Sequence, residues 1–517
     1  MNRVMKPLNW LAALFCAFLL VPVASPGAAE PPRVDVILWF DTEDYLSPAD
    51  DDACKRLAQM LTERHIRATF KVVGEKARVL ERRGRKDVIE ALKRHDIGYH
   101  ANFHSVHPTP SEYLADCGLL DGMAEFERRE GGGAAEVRRV FGRNTLVCYG
   151  QPGSSWASQA VAALKNIGVA PSGVPCYVDE GEHVGLDDKP FWFAGALNVY
   201  HMGPNYTRME LHDPAAVEPA KQKVSAIAQR LQTEGGGLIS IFYHPCEWIH
   251  LEFWDGVNFR RGANPPPEQW KAPPQQTPAE TDAAFERFGQ YIDHIRSIPG
   301  VRFVTAGDLP SIYADAARTG GAPEADLALM ASQLASGGTN GVDLALIGKH
   351  SYSAADQFEL LTTAVDRLCA GEKPRFPLVA KGLLGPDGGP PTLNPRTHID
   401  WPTFRMATAD VSNFIRTQGR VPARVFIGPD PIPPAVFLVG LAKVYEFYRA
   451  HGASPTDAGV ALPENVELLP AGHIAEDTPG LFGGWIIHKE NFRAPKILEV
   501  ARLQAWTLKP AVRAGGR

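Results

Sequence analysis

The chain has 517 residues, 44% of them hydrophobic and 22% charged, which describes a globular protein of two or more domains and excludes a disordered or fibrous one. Its net charge of −6 is mild and no basic stripe interrupts it, so nucleic acid is not an expected partner. Short basic clusters such as Arg82 to Lys86 read as solvated helix faces.

Residues 1–29 read as an export signal. Arg3 and Lys6 supply the positive end, Leu8 to Val23 the apolar run, and Gly27-Ala28-Ala29 the small residues before a cut. As a membrane anchor the run is barely long enough, and Pro22 and Pro26 interrupt its end. Cys16 lies inside the run, which argues against a lipid-anchored cysteine. No later run approaches spanning length, so the expectation is an exported protein (periplasmic, cell-surface or extracellular) with no stable membrane anchor after cleavage. Export permits disulfides, but Cys54, Cys117, Cys148, Cys176, Cys246 and Cys369 are too sparse for a disulfide scaffold and form no CxxC metal site.

Residues 30–318 alternate strand and helix patterns. Val34 to Phe40 is an apolar run of the kind a buried parallel strand uses, and Ala53 to Arg64 has helical periodicity. Ala68 to Val73, Thr145 to Tyr149, Leu238 to Tyr243 and Val301 to Thr305 read as further strands. Val88 to Arg94, Ser158 to Asn166 and Ala283 to Ser297 read as helices, and the Pro-rich stretch Asn264 to Pro278 as a surface connection. This alternation predicts an α/β fold, a (β/α) barrel.

Three strand ends carry polar residues that a core would not choose. Asp41-Thr42-Glu43-Asp44 follows Phe40, His100-Ala101-Asn102-Phe103-His104 follows the strand end at Ile97 to Tyr99, and His244 follows Tyr243. Chemistry on α/β barrels sits at the carboxyl ends of strands. His100 and His104 are four apart, so a helical turn would bring both imidazoles to one face, where they can share a metal ion. The dull alternatives are a helix N-cap for the acidic cluster, a His-rich surface loop, and a hydrogen-bonded core histidine at 244.

The order of these pieces resembles the polysaccharide deacetylase family (NodB homology, carbohydrate esterase family four), as does the closing Phe303-Val304-Thr305-Ala306-Gly307-Asp308-Leu309. The resemblance implies a distorted (β/α) barrel that removes acetyl groups from N-acetylated sugars with a divalent metal, zinc above others. Carried over by residue, it makes His100 and His104 metal ligands, Asp41 the catalytic base and His244 the general acid. The family usually has two adjacent aspartates, the second a ligand. Here Thr42 intervenes, so Glu43 or Asp44 must supply that carboxylate, with Asp44 favoured because aspartate is the usual ligand.

One departure concerns the third motif. Tyr149-Gly150-Gln151-Pro152-Gly153-Ser154-Ser155-Trp156 puts Gln151 where the family has an arginine that holds the base. Glutamine can bond Asp41 but brings no charge, so a stronger base is expected. Tyr149 and Trp156 fit either a sugar-flanking platform or the core, and Asp179 is the candidate acid that orients His244. His107 reads as a structural residue or one that supports the pair from behind.

Residues 323–510 form a smaller, mainly helical unit with an internal repeat. Val342 to Gly348 leads into Leu360, Leu361, Ala364 and Val365, and Val421 to Gly428 leads into Leu438, Leu441, Ala442 and Val444. Each copy reads strand–Gly–turn–amphipathic helix, with a helix before the second copy and a counterpart at Leu327 to Leu334. The second copy is similar to pseudomurein-binding repeats, which implies attachment to a cell-wall polymer; the alternative is a structural appendage on the barrel. The readings that stand are a secreted metal-dependent amide hydrolase acting on an N-acetylated glycan or cell-wall polymer, a catalytically weak carbohydrate- or wall-binding scaffold, and a hydrolase of a small non-sugar amide.

Overall fold

The structure, a computed structural model, describes residues 31–336, 341–391, 396–456 and 459–514; the segment read as an export signal lies outside them. Strand β1 (Val34–Thr42) is buried along its whole length and is the axis of a parallel sheet. After it come α1 (Pro48–Glu63), β2 (Thr69–Val72), α2 (Gly74–Arg82), α3 (Lys86–Leu92), β3 (Asp96–Tyr99), α4 (Leu119–Phe141) and α5 (Ser158–Ala163). Next are β4 (Cys176–Val178), β5 (Phe191–Phe193), β6 (Ala196–Val199), α6 (Val217–Thr233), β7 (Gly237–Tyr243), α7 (Pro278–Ser297) and β8 (Val301–Val304).

On one edge β1 pairs with β7 from Val34↔Gly237 to Phe40↔Tyr243. The other edge is shared: its first half pairs with β8 (Val34↔Val301) and its second half with β2 (Trp39↔Thr69). β3 follows β2, and single parallel bridges Tyr99↔Tyr149 and Tyr149↔Tyr177 carry the wall on to β4 and β6. A bridge between Tyr206 and Ser240 returns it to β7. The result is a distorted barrel. Thr145 to Tyr149, expected as a strand, makes only isolated bridges, because Leu146 pairs with Val169 while Tyr149 pairs with β3 and β4.

Alternation along β1 sorts its side chains into two layers. Val34, Val36, Leu38 and Phe40 face the helices, with Leu57, Leu61, Phe285 and Ile292 in one core. Ile37 and Trp39 face the barrel interior with Cys148, Cys176, Val178 and Leu238. The six cysteines at 54, 117, 148, 176, 246 and 369 are all free thiols. Among the described residues no helix is long and apolar enough to cross a membrane.

The repeat takes the form helix, hairpin, helix. α8 (Glu324–Ser336) precedes the hairpin β9–β10 (Ala345–Ile347, His350–Tyr352) and α9 (Ala354–Cys369); α10 (Trp401–Gln418) precedes β11–β12 (Val425–Ile427, Asp430–Ile432) and α11 (Pro434–His451). The turns use Gly348 at φ 60 and Gly428 at φ 61, a left-handed conformation that favours glycine. What the sequence suggests as one strand and a turn is therefore a two-stranded hairpin, its second strand too short to show a period. Leu346 and Phe426 occupy equivalent places in the two hairpins and stay 57% and 54% exposed.

The repeats have their own apolar core, from Ala317 to Leu462, joined by Trp506. By contrast Ile474, Phe482, Ala494, Ile497, Leu498, Ala501 and Leu508 pack into the core of the barrel. Residues from Pro32 onward make one compact unit. Its two cores meet at Lys509, a fully buried ammonium that donates to Asp315 Oδ1 at 2.7 Å and to Asp356 Oδ2 at 2.8 Å. Burial opposes the charge of Asp356, but Lys509, then Arg318, hold its carboxyl below the usual value. A depressed folded-state pKa contributes stability above the unfolded value near pH ~4, lost as the pH falls through the folded one. Lys509→Met removes the cation that Asp315 and Asp356 share, leaving Arg318 beside them, and is expected to lower the unfolding free energy by up to about 3–5 kcal/mol at neutral pH. The deficit should shrink on acidification, as urea unfolding at pH 7 and pH 4 would record.

Candidate metal centre

The parity of the strands decides which side chains meet. Asp41 and Glu43 continue the inward set of Ile37 and Trp39, whereas Asp44 continues the outward set of Phe40. Glu43 accordingly meets the histidines: its Oε2 lies 2.8 Å from His104 Nε2 and 3.7 Å from His100 Nε2. These three residues could offer a metal one ligand atom each from positions within 4.8 Å of one another. Asp44 does not reach them. Its Oδ1 accepts the backbone N–H of Leu46 at 2.7 Å and of Ser47 at 3.2 Å, and its main-chain oxygen accepts Lys76 Nζ at 2.6 Å. The geometry thus places Glu43, the alternative the sequence left open, and not Asp44 in the cluster with the two histidines.

The two histidines do not lie on a helical turn. His100 ends the run of β3 and His104 sits in a loop where Ala101 (φ 64) and His104 (φ 58) adopt the left-handed conformation. Such conformations in non-glycine residues cost on the order of 1 kcal/mol or more and persist where the surroundings impose them. Here the N-terminus of α2 imposes them, Gly74 N donating to Ala101 O at 3.0 Å and Glu75 N to Asn102 O at 2.9 Å. On the other side Gly133 of α4 lets the loop approach, since a Cβ there would lie 2.6 Å from Asn102 Oδ1.

His100 Nδ1 is 3.0 Å from the carbonyl oxygen of Gly150, which can only accept, so Nδ1 carries the proton and Nε2 presents a lone pair toward Glu43. His104 Nδ1 is 2.6 Å from Ser105 Oγ. Its Nε2 is buried without a hydrogen-bond partner, although Glu43 Oε2 is close by. Burial lowers the pKa of His100. Burial also opposes the charge of Glu43, but His104, His100 and His244 together hold its carboxyl well below the usual range. A carboxylate oxygen 2.8 Å from one imidazole Nε2 and 3.7 Å from another is a donor set that a shared cation can occupy.

Asp41 is gripped by Lys71, its cross-strand neighbour in β2. Lys71 Nζ lies 2.9 Å from Asp41 Oδ1 and 2.6 Å from Asp179 Oδ2, donates to Val178 O at 2.9 Å, and sits 4.0 Å over the Trp39 ring. Burial opposes its charge, but Asp179 and Asp41 prevail and raise its pKa above the ordinary lysine value. Asp179, expected to orient His244, instead shares this cation; burial pushes its carboxyl up to about 7 against the pull of Lys71. Gln151 does not touch Asp41. Its Nε2 donates to Gly153 O and Glu180 O at 3.1 Å each, and its Oε1 accepts from the Tyr177 hydroxyl. The charge expected to be missing beside the base is thus present, supplied by β2.

His244 faces the cluster through Nε2, 3.7 Å from Asp41 Oδ2 and 3.9 Å from Glu43 Oε2. Its Nδ1 donates to Glu247 Oε1 at 2.8 Å, and Glu247 is in turn paired with Arg208. Burial opposes its protonation, but Glu247, Glu43 and Asp41 push its pKa up to about 9. Glu247, three residues along, is therefore the acid that orients His244. Tyr149 and Trp156 belong to the core: Tyr149 packs between Tyr99, Phe126 and Tyr177, and Trp156 stacks on His183 at 5.1 Å. His107 pairs with Glu112 at 2.7 Å, a structural contact.

Lys71, Glu247 and Arg208 were not singled out from sequence. Lys71 does carry a signal, a lone charge inside Ala68-Thr69-Phe70-Lys71-Val72-Val73. Glu247 is placed by its own local geometry, accepting the backbone N–H of His244 at 2.8 Å, as a residue three after a cap does.

No protein-family model matches the chain, and no curated protein matches it. The chain is similar to solved structures of carbohydrate esterases and deacetylases. A Mycobacterium smegmatis protein classed as a polysaccharide deacetylase is 15% identical, over 56% of this chain and 91% of its own, with a TM-score of 0.34. A family 4 carbohydrate esterase from Streptomyces lividans is 16% identical, over 53% and 92%, with a TM-score of 0.27. The Puue allantoinase is 10% identical, over 57% and 96%, with a TM-score of 0.33.

The two acidic neighbours are separable by metal content. Glu43→Gln is expected to weaken zinc binding by more than the roughly 10–100-fold typical of a supporting residue, and Asp44→Asn to leave it near wild type. Equilibrium dialysis against zinc checks both, and the reverse pattern would return the ligand role to Asp44.

Proposed function

We propose that the protein is an exported, metal-dependent hydrolase of carbon–nitrogen amide bonds whose substrate is an N-acetylated glycan. The observation that carries this reading is the convergence of Glu43, His100 and His104 with Asp41 and His244 at one barrel rim. The donor set fits a divalent cation, zinc above others: one carboxylate and two imidazoles leave positions for water and substrate. His100 would bind through Nε2 while Gly150 holds its other nitrogen. A cation held there supplies Lewis acidity toward the amide carbonyl.

The remaining chemistry belongs to the chain. Asp41, anchored through Oδ1 to Lys71, keeps Oδ2 toward the cleft and takes a proton from water. His244 carries its proton on Nε2, with Nδ1 tied to Glu247, and donates it to the leaving nitrogen, which is too basic to depart as an anion. Lys71 and Glu247 are positioning residues that fix the base and the acid beside the cluster. A pure carbohydrate-binding scaffold needs neither arrangement, and the charge that favoured that alternative by its absence at Gln151 is supplied by Lys71. For the repeats, the matched exposure of Leu346 and Phe426 supports a role in holding a polymer, the wall-attachment reading of that part.

Acetate release from N-acetylglucosamine oligomers, peptidoglycan and acetylated xylan, measured with zinc, tests the proposal. Asp41→Asn is expected to lose about 10²–10⁴-fold in kcat with its zinc retained. His100→Ala is expected to lose both. Absence of acetate from both N-acetylated substrates by the zinc-loaded wild type would overturn the reading, and acetate from xylan alone would mark an esterase instead. Removal of zinc by a chelator should abolish turnover and its return restore it.

A further inference from the structure

The far end of the chain crosses the rim as a strap. Residues 479–488 are pinned from three sides: Ser154 Oγ donates to Phe482 O at 2.8 Å, Arg261 N to Ile486 O at 3.0 Å, and Gly262 N to Ile487 O at 2.7 Å. His488 adds a fourth contact, its Nε2 3.0 Å from Thr109 Oγ1. At the middle of the strap stands Trp485. Its Nε1 donates to Asp255 Oδ2 at 2.9 Å, and its ring meets His104 edge-on with centroids 5.5 Å apart.

Two cavities lie near this indole, which lines the first of them. One, of about 400 Å³, holds Glu43, His104 and His244 and opens past Phe253 and Ile486. The other, of about 460 Å³, is lined by Gln151, Ser154, Glu180, His201, Tyr206 and Leu481. Gly153 lines both. It has φ +48, and a Cβ on it would fall inside the Trp485 ring. The indole therefore rests directly on the Gly153 backbone and walls the metal-side cavity where that cavity reaches the residue shared with the second one.

A site that works on the interior of a polymer needs a groove passable on both sides of the reacting residue. Here one side ends at Trp485, and the metal-side cavity has the size of a small-ligand pocket. We infer that Trp485 sets specificity, and that the cleft takes the terminal residue of an N-acetylated oligosaccharide rather than an internal one. This rests on the deacetylase reading and adds to it the length and position that are selected. Anchoring on both flanks fixes the backbone that carries the indole, and the ring is held by its bond to Asp255 and its packing on Gly153.

The test is the pattern of deacetylation along an N-acetylglucosamine hexamer labelled at its reducing end, with zinc-loaded full-length protein and fragment mass spectrometry. Wild type is expected to remove acetyl from one terminal residue only. Trp485→Ala, checked for an unchanged melting temperature, should raise internal deacetylation at least about tenfold relative to terminal, while Trp485→Phe keeps the terminal pattern. Internal removal by wild type, or an unchanged pattern in a folded Trp485→Ala, would overturn the inference and leave the deacetylase reading standing. No acetate from any oligomer would overturn the inference, and the deacetylase reading falls with it only if peptidoglycan also yields none.

Discussion

A single buried ammonium carries the architecture of this site. Lys71 has no exposure to solvent, and taking it and two carboxylates out of water costs several kcal/mol per ion before any contact is made. The offset comes from geometry: Asp41, Asp179, Val178 O and the face of Trp39 surround Nζ. Those partners come from β1 and from the end of β4, while Lys71 itself sits on β2, so the cation ties three parts of the wall at the rim. Asp41 is thereby fixed before any substrate arrives. The same contact leaves Oδ2 as the oxygen facing His244.

Much of this was legible, and the errors are as informative as the successes. The alternation that buries Ile37 and Trp39 inward extends two residues to Asp41 and two more to Glu43, so strict period-two counting from Val34 selects Glu43 over Asp44. Residue type, the preference for aspartate, pointed the other way and lost to strand geometry. Lys71 follows the same rule, its neighbours Phe70 and Val72 facing the helices. The spacing of His100 and His104 led to the right pair by the wrong conformation. A strained loop, held by the N-terminus of α2, does what a helical turn was expected to do.

Other features were hidden for identifiable reasons. Helix α4 contains Gly131-Gly132-Gly133, which weakens a helical signal by about 1 kcal/mol per glycine, yet Gly133 is the residue that lets the histidine loop sit close. Gln151 suggested a lost charge because a substitution in one motif says nothing about a cation arriving from a different strand. Trp485 was beyond local pattern altogether: it acts more than three hundred residues from His104 along the chain, and its own surroundings, Gly483-Gly484-Trp485, read as a turn.

The long separation gives the repeats a physical part in the site whatever they bind. They stand between β8 and the strap, and an unstructured loop of that length would have to be closed at an entropic cost that rises with its logarithm. Folded, the insert returns the chain near its point of departure. Leu378 pairs with Ala322 next to the exit, Val342 pairs with Leu468 next to the return, and Lys509 joins Asp315 to Asp356 across the two cores. The strap is thus delivered by a rigid module rather than a tether, and the backbone bonds that hold Ile486 and Ile487 need only orient it. Rigidity at that scale keeps the indole seated on Gly153, so the metal-side cavity keeps that wall.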